Sequence, residues 1–385
     1  MRGPAEIIAA RRTPVAPRGG AFRALQADEL AAPVIEALLV DAGIPPSAVD
    51  QVVFGNALYG GGNPARMAAL RAGLSQSVPA MTIDTQCCSG LDAILTGIRL
   101  VEAGAADCVV AGGMESFSRA PIRQHRPLTK GGDPVAYDRP AFAPDPRQDP
   151  DLSEAAAALA DRRQISRMSQ AQYAVRSHQK ARRAQQAGRF AAELVPVGGA
   201  AMDGFTRNLG EATALRAPVL AGDMTTGVTS ATTAVEADAA AAVLIASPAF
   251  AACGRQPEEA GNRIRVRGGL SIGGPSDAPA LVATAALRQI ARQQRIDLGD
   301  MTRIELMEAY AVQAMATIAD LSIEEMSVNR DGGALARGHP IGASGAILAV
   351  RLFHGLLCDQ TNGIGCAAIP AAGGLGAALM LETFA

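Results

Sequence analysis

Tryptophan is absent from the 385 residues and aromatic side chains make up only 3% of them, so no core here is built around large rings. Forty-one glycines and a very high alanine content stand in their place. The interior must close through small side chains and close backbone approach, which favours helices layered on a sheet over an aromatic-rich sandwich. An excess of charge is lacking too: 35 Lys and Arg face 37 Asp and Glu without long runs, for a net charge of −2. That balance excludes the electrostatic footprint of a nucleic-acid or anionic-membrane binder and leaves a small molecule or another protein as the partner. No uninterrupted apolar run reaches about 18 residues and no charged-then-apolar leader opens the chain, so the expectation is a cytoplasmic protein with no membrane span.

The six cysteines (Cys87, Cys88, Cys108, Cys253, Cys358, Cys366) lack CxxC spacing, and no histidine cluster accompanies them. A zinc site and a disulfide framework are therefore not expected, and neither is a bound metal or cofactor. Only His125, His178, His339 and His354 are available for imidazole acid-base work.

What is present reads as an α/β protein. Residues 28–43, "DELAAPVIEALLVDAG", place Leu30, Val34 and Leu38 at helical spacing, with Asp28 in the first turn and Gly43 at the stop. Short apolar strands follow at Val52 to Phe54 and Cys108 to Ala111, too unalternating to be half exposed. Strands alternating with helices predict a mostly parallel sheet covered on both faces. The second half repeats the order: a helix at "ALVATAALRQIARQQ", a strand at "RIELMEAYA", a Gly-rich turn opening a helix at "GHPIGASGAILAVRLF", and a last strand at "GCAAIPAAGG". This is the pattern of an internal duplication. Between the halves, residues 118 to about 150 are rich in Pro, Arg and Asp without periodicity, and a strongly helical stretch ending near Gly188 follows them. The excursion thus carries a small helical layer of its own.

The adjacent Cys87 and Cys88 precede Ser89, Gly90 and an apolar helix. A helix N-terminus favours thiolate, and the small residues would let a ligand approach backbone N–H groups able to hold an oxyanion. A buried structural pair fits the same spacing, since free cysteine packs as a small hydrophobe. His339, flanked by small residues in "GGALARGHPIGASGA", is the candidate base, and Cys with His is the minimum for acyl transfer through a thioester.

With "AARRTPV", "GNPARMAALRAGL", "QCCSGLDAI", "VVAGGMESFSRAP", "SHQKARRAQQAGRFAAELVPV", "EAYAVQA" and "GGALARGHPIGASGA" in this order, the chain resembles the thiolase family, the acyl-CoA C-acyltransferases, over nearly its whole length. The resemblance implies a thiolase fold: a duplicated five-layer α/β/α/β/α architecture with mixed sheets and a helical loop-domain insertion. Residues 1–117 with 226–257 would form the N-terminal half, 118–225 the loop domain, and 258–385 the C-terminal half. It further implies Cys87 as the acyl-accepting nucleophile and His339 as the histidine that activates it. The backbone N–H of Cys87 and one near Ala372 would form an oxyanion hole. A coenzyme A thioester would be the substrate, and a homodimer or homotetramer, with an accessory protein as a further partner, the assembly.

Four positions depart from the family pattern. Met307 stands where "NEAF" has its asparagine, and a thioether donates no hydrogen bond. Pro370 stands at the second catalytic cysteine of "CxGGGxG"; Cys366, four residues upstream, would lie about 13 Å along the strand. Ala234 occupies the place of a pantetheine-contacting serine, and Asp84 that of an asparagine. These departures fall on the half-site for the second substrate. The expected activity is an acyltransferase that loads Cys87 from an acyl-CoA or a carrier thioester and passes the acyl group to an altered acceptor, the alternatives being a half-active or non-catalytic subunit and a thioester or retro-Claisen hydrolase. Met114, after the strand at Cys108, is assigned to the mouth of the acyl pocket or to a strand-to-loop turn. Arg207 is assigned to a CoA phosphate, Cys88 to the core, and His178 to helix packing.

Overall fold

In a computed structural model of the chain, residues 3–253, 263–359 and 363–384 are described, so the expected boundary at 257/258 lies outside the described residues. Nine strands run in the path of a ten-stranded sheet: β1 (Glu6–Arg12), β2 (Gln51–Gly55), β3 (Ala80–Ile83), β4 (Cys108–Ser116), β5 (Ala237–Ala246), β6 (Arg263–Gly273), β7 (Arg303–Leu306), β8 (Ile364–Ala371) and β9 (Leu375–Phe384). Their order is β7-β8-β9-β6-β1-β5-β4-β2-β3. The duplication is legible in that order. In the first half β1 pairs β5 antiparallel, β5 pairs β4 antiparallel, and β4 pairs β2 parallel. In the second half β6, β9, β8 and β7 repeat the same three relations. A short antiparallel contact, Glu6 with Arg265 and Ile7 with Ile264, joins the halves.

The sheet is mixed, as the resemblance implied, and not mostly parallel as the alternation of elements suggested. The reason is local to each half. β8 and β9 are joined by a tight turn at 372–374 that permits only an antiparallel pair, and β5 enters after the long excursion against β4 in the opposite sense.

Helices α1 (Ala27–Ala42) and α2 (Pro64–Arg71) cover the outer face of the first half-sheet. α1 stops where expected, on Gly43 at φ 63°, whose N–H reaches back to the Leu39 and Val40 carbonyls. α3 (Ser89–Glu102) lies between the half-sheets. The excursion contributes α4 (Leu152–Arg162) and α5 (Arg167–Gln186), a division the sequence pattern did not resolve. They break at Gln164 (φ 52°), and the Ser166 hydroxyl caps the second on the Ser169 N–H. α6 (Val282–Gln294) and α7 (Ala311–Leu321) cover the outer face of the second half-sheet. α8 (Ile341–Cys358) is long and apolar enough to cross a membrane, but it packs beside α3 in the middle of the protein, with Ala346, Leu348 and Val350 in the central core.

Small residues make that middle layer possible. A Cβ on Gly113 would lie 1.9 Å from the Gly342 carbonyl oxygen, and one on Gly90 2.7 Å from the same atom. The glycines let β4, α3 and α8 touch backbone to backbone. Gly113→Ala must push α8 away, and we expect it to lower unfolding free energy by about 1–3 kcal/mol or more, read as the urea midpoint. A variant as stable as the parent would show that α8 can retreat without loss.

Candidate active site

The loop between β3 and α3 is locked by its own side chains. Ser89 Oγ donates to the Gln86 carbonyl at 2.5 Å and accepts from the Thr85 N–H at 2.9 Å. Gln86 takes φ 54°, and its N–H and side-chain amide both donate to Asp84. Cys87 is thereby held in a single 3-10 turn at the entry to α3. Cys88 turns the other way, its thiol 3.4 Å from the Ile369 carbonyl, and is a core residue as expected.

His339 arrives from the other half. Gly338 at φ 114° turns the chain, and the His339 N–H donates to the Val235 carbonyl at 2.8 Å. The ring then sits with Nε2 3.2 Å from Cys87 Sγ and Nδ1 2.6 Å from Ser344 Oγ. The Ser344 hydroxyl donates to the Pro340 carbonyl at 2.9 Å. Its one proton is therefore used, and its oxygen accepts from Nδ1–H. The lone pair of Nε2 is left facing the thiol, which is the tautomer a general base needs. Ser344 is a positioning residue that sequence reasoning missed, although it lies in the same quoted block as His339.

Burial pushes the Cys87 thiol up to about 12, against the opposing pull of the Ala372 and Cys87 N–H groups. Burial also holds His339 down to about 4. The expected lowering of the thiol by the helix terminus is thus outweighed by desolvation, and the resting pair is neutral thiol and neutral imidazole. The Cys87 and Ala372 N–H groups, the expected oxyanion donors, lie close enough to Sγ to stabilise its thiolate.

The cavity in front of the pair holds about 120 Å³. Leu152, Ala155 and Ala156 of α4 form one wall; Thr233, Ala234, Ala309, Tyr310 and Gln313 form another; Pro279, Ala280, Pro370, Ala371 and Ala372 complete it. A larger groove of about 430 Å³, around Tyr59, Asn63 and Arg66, lies elsewhere and contains neither Cys87 nor His339.

Other expected site residues fall outside the cavity wall. Met114 is fully buried in the outer core with Val110 and Ala240, because β4 runs on to Ser116 and places it on the face away from Cys87. It is neither at a pocket mouth nor in a turn. Met307 is 1% exposed and packs in the central core, with its N–H on the Ala368 carbonyl. Arg207 is exposed, its guanidinium 4.2 Å from the Phe205 ring centroid. His178 is buried in α5 and accepts from the Arg207 N–H, in keeping with a packing role. Cys366 is fully buried in the outer core of the second half, away from the cavity, so it does not take the place of a second cysteine. Among the described residues no cluster of His, Cys, Asp or Glu has the arrangement of a metal site.

Comparison with known proteins shows the family and the fold. The family model described as thiolase, N-terminal domain, matches residues 5–249, and that for the thiolase C-terminal domain matches 258–383. The chain belongs to the thiolase family. A Bacillus subtilis (strain 168) protein provisionally named acetyl-CoA C-acetyltransferase YhfS is 37% identical over 388 residues, covering 99% of this chain and 100% of its own. Staphylococcus aureus relatives with the same provisional activity, named VraB, are 33% identical with 99% of each chain covered. Among solved structures, the Bacillus anthracis acetyl-CoA acetyltransferase superposes with TM-score 0.90 at 28% identity, covering 100% of this chain and 99% of that one. Human mitochondrial 3-ketoacyl-CoA thiolase, solved in complex with CoA, gives TM-score 0.91 at 28% identity, covering 100% and 98%. The thiolase fold of this chain is the one expected from its motifs.

The neutral pair makes a measurable demand. Between about pH 6 and pH 9, a range that spans the ordinary thiol pKa of about 8.5, Cys87 should alkylate with iodoacetamide far more slowly than the exposed Cys253 and Cys358. Thioester acylation of Cys87 should stay flat with pH and fall only as the medium nears the His339 value of about 4, where the imidazole becomes a cation and can no longer accept the thiol proton. Peptide-level mass spectrometry reads both; alkylation of Cys87 that titrates like an ordinary cysteine would contradict the neutral pair.

Proposed function

We propose that this thiolase is an acyltransferase that takes an acyl group from a coenzyme A thioester onto Cys87 and passes it to an acceptor other than the usual second thioester carbon. The observation that carries this reading is the 3.2 Å contact between Cys87 Sγ and the correctly tautomeric Nε2 of His339, beside a cavity whose wall at position 370 is proline.

The first half-reaction follows from the groups present. Sγ attacks the thioester carbonyl carbon as its proton passes to His339 Nε2. Negative charge on the carbonyl oxygen would be met by the N–H groups of Cys87 and Ala372, which lie beside the sulfur. The tetrahedral adduct then expels the CoA thiolate, which takes the proton back from His339, leaving a thioester on Cys87 and free CoA. Desolvation favours the neutral starting pair, and His339 is neutral again once the departing CoA has taken up the proton that came from Cys87.

The second half-reaction has less to work with. In the family pattern a second cysteine moves a proton to or from the incoming substrate, a service typically worth about 10² to 10⁴ in rate. Pro370 has no acid-base group, and Met307 is turned into the core. An acceptor that brings an already nucleophilic carbon or heteroatom needs neither. We also read the chain as a homodimer: β3 ends one side of the sheet, and Met67, Leu70 and Met81 lie exposed beside it.

Incubation with acetyl-CoA or a medium-chain acyl-CoA should raise the intact mass by one acyl group, and the gain should vanish in Cys87→Ala. No adduct from either donor would sink the reading, and release of free acid without acceptor would turn it toward hydrolysis. Condensation of two acetyl-CoA should be slower than acylation by about 10²-fold or more. Pro370→Cys should raise that condensation while leaving the acylation rate near its starting value.

A further inference from the structure

The turn that carries the Ala372 N–H is nearly bare of side chains. Gly373 and Gly374, which follow Ala372 between β8 and β9, both lie at φ 76°, a region that glycine enters and leaves freely. The shape of the turn is therefore fixed from outside, on two sides. On one, the Gly274 N–H just past β6 donates to the Gly374 carbonyl at 2.7 Å. On the other stands the excursion: a Cβ on Gly373 would lie 3.1 Å from the Phe142 carbonyl oxygen and 3.6 Å from the Phe142 Cβ.

Phe142 is held in turn by a clamp at the two ends of its segment. Arg139 Nη1 donates to Asp149 Oδ2 at 3.1 Å, and Nη2 pairs with Oδ1 of the same carboxylate, so the ion pair is bidentate. Nη2 also donates to the Pro150 carbonyl at 2.9 Å. Asp149 Oδ2 accepts from the Phe142 N–H as well, at 3.2 Å, and the Arg139 guanidinium carbon lies 4.7 Å from the Phe142 ring centroid. Ion pairs near the surface add little stability on their own. This one grips both the backbone and the ring of Phe142, so what it secures is a position.

We propose that Arg139 and Asp149 are positioning residues for acyl transfer: by closing residues 139–150 into a strap, they seat Phe142 against Gly373 and so fix the Ala372 N–H beside Cys87. The inference rests on the acyl-thioester reading of the site. Neither residue lines the cavity, and neither touches the substrate or moves a proton. Their influence falls on the step in which a carbonyl oxygen gains charge, because an oxyanion donor must stand in place before the charge forms. With the strap open, the two glycines would let the Ala372 N–H swing away from the sulfur. Cys87 and His339 would stay as they are, since Ser89 locks the loop of the first and Ser344 the ring of the second.

The test follows two reactions of Cys87 in the full-length protein. One is acylation by acetyl-CoA or a medium-chain acyl-CoA; the other is alkylation by iodoacetamide, which needs the thiol but no oxyanion donor. Loss of one oxyanion donor typically costs about 10² to 10³ in rate, so Arg139→Ala or Asp149→Ala should lower the maximal acylation rate by about tenfold or more, with the half-saturating acyl-CoA concentration within about twofold of the parent. Alkylation of Cys87 should keep its parent rate in both. Arg139→Lys, which retains the charge but not the two-pronged pair, should recover part of the acylation rate. A variant that had loosened the whole site would change alkylation, half-saturation and urea midpoint together. Parent-level acylation in both alanine variants, a loss confined to half-saturation, or alkylation that changes in step with acylation overturns the clamp and leaves the thioester reading standing. Failure of the parent protein to take an acyl group from either donor overturns both.

Discussion

Everything at the site depends on how closely the two central helices approach. α3 and α8 are the equivalent helices of the two halves, and they meet through glycine. Besides the contacts of Gly90 and Gly113 with the Gly342 carbonyl, a Cβ on Gly345 would lie 2.6 Å from the Leu91 N–H nitrogen. Because the backbones touch, the residues at the two helix entries are brought within hydrogen-bond range. Cys87 belongs to one entry and His339 to the other, so each half of the duplication supplies one member of the reacting pair. Larger residues at these glycines would separate the helices and the pair together.

α8 is also held, at its start and again past its middle, by buried polar and charged groups. At its start the Gly342 N–H donates to Glu115, which accepts as well from Asn56, Ala57 and Leu58. Burial pushes this carboxyl up to about 7, while the backbone N–H groups pull it down. Further along, Arg351 is shared between Glu193 and Asp331, Glu193 also pairs with Arg12, and Asp331 with Arg303. The chain of ion pairs crosses from β1 through the excursion to α8 and β7. Such groups add little net stability compared with apolar packing, but removing one member strands its partner in the core. Their effect here is to fix the direction of the helix that presents His339 and Ser344.

The sequence disclosed the reacting groups better than their surroundings. Cys87 and His339 were legible because they lie in contiguous blocks beside helix starts, where spacing and chemistry coincide; Ala372, in the turn between β8 and β9, was named from the resemblance alone. The faces of the buried strands were not. β4 is apolar throughout, and in such a strand alternation carries no information about which side faces which core. Met114 therefore lies on the outer face although its neighbours Gly113 and Glu115 serve the inner one. Met307 ended in the core for a related reason: β7 stops at Leu306, and the chain places Ala309 and Tyr310, not Met307, on the cavity. Phe142 and Gly373 had no local signal at all. They belong to the excursion and to the second half, and meet only through the contact that folding creates.

The proline at the cavity wall separates fold from chemistry. A proline inside a central strand normally forfeits a ladder hydrogen bond and so marks an edge or a strand end. Pairing between β7 and β8 ends at Leu306 and Ala368, with the Met307 N–H on the Ala368 carbonyl, and Pro370 lies beyond it, facing Gly376 of β9. The backbone there makes no demand that only proline could meet, since the strand is in ordinary extended register on its remaining side. A residue with an acid-base group would fit the same position without altering the sheet. The first half of the chemistry is therefore built into the helix approach that the fold cannot relinquish. The second half, on the acyltransferase reading proposed above, would be set by side chains at a strand end, where Pro370 faces the cavity.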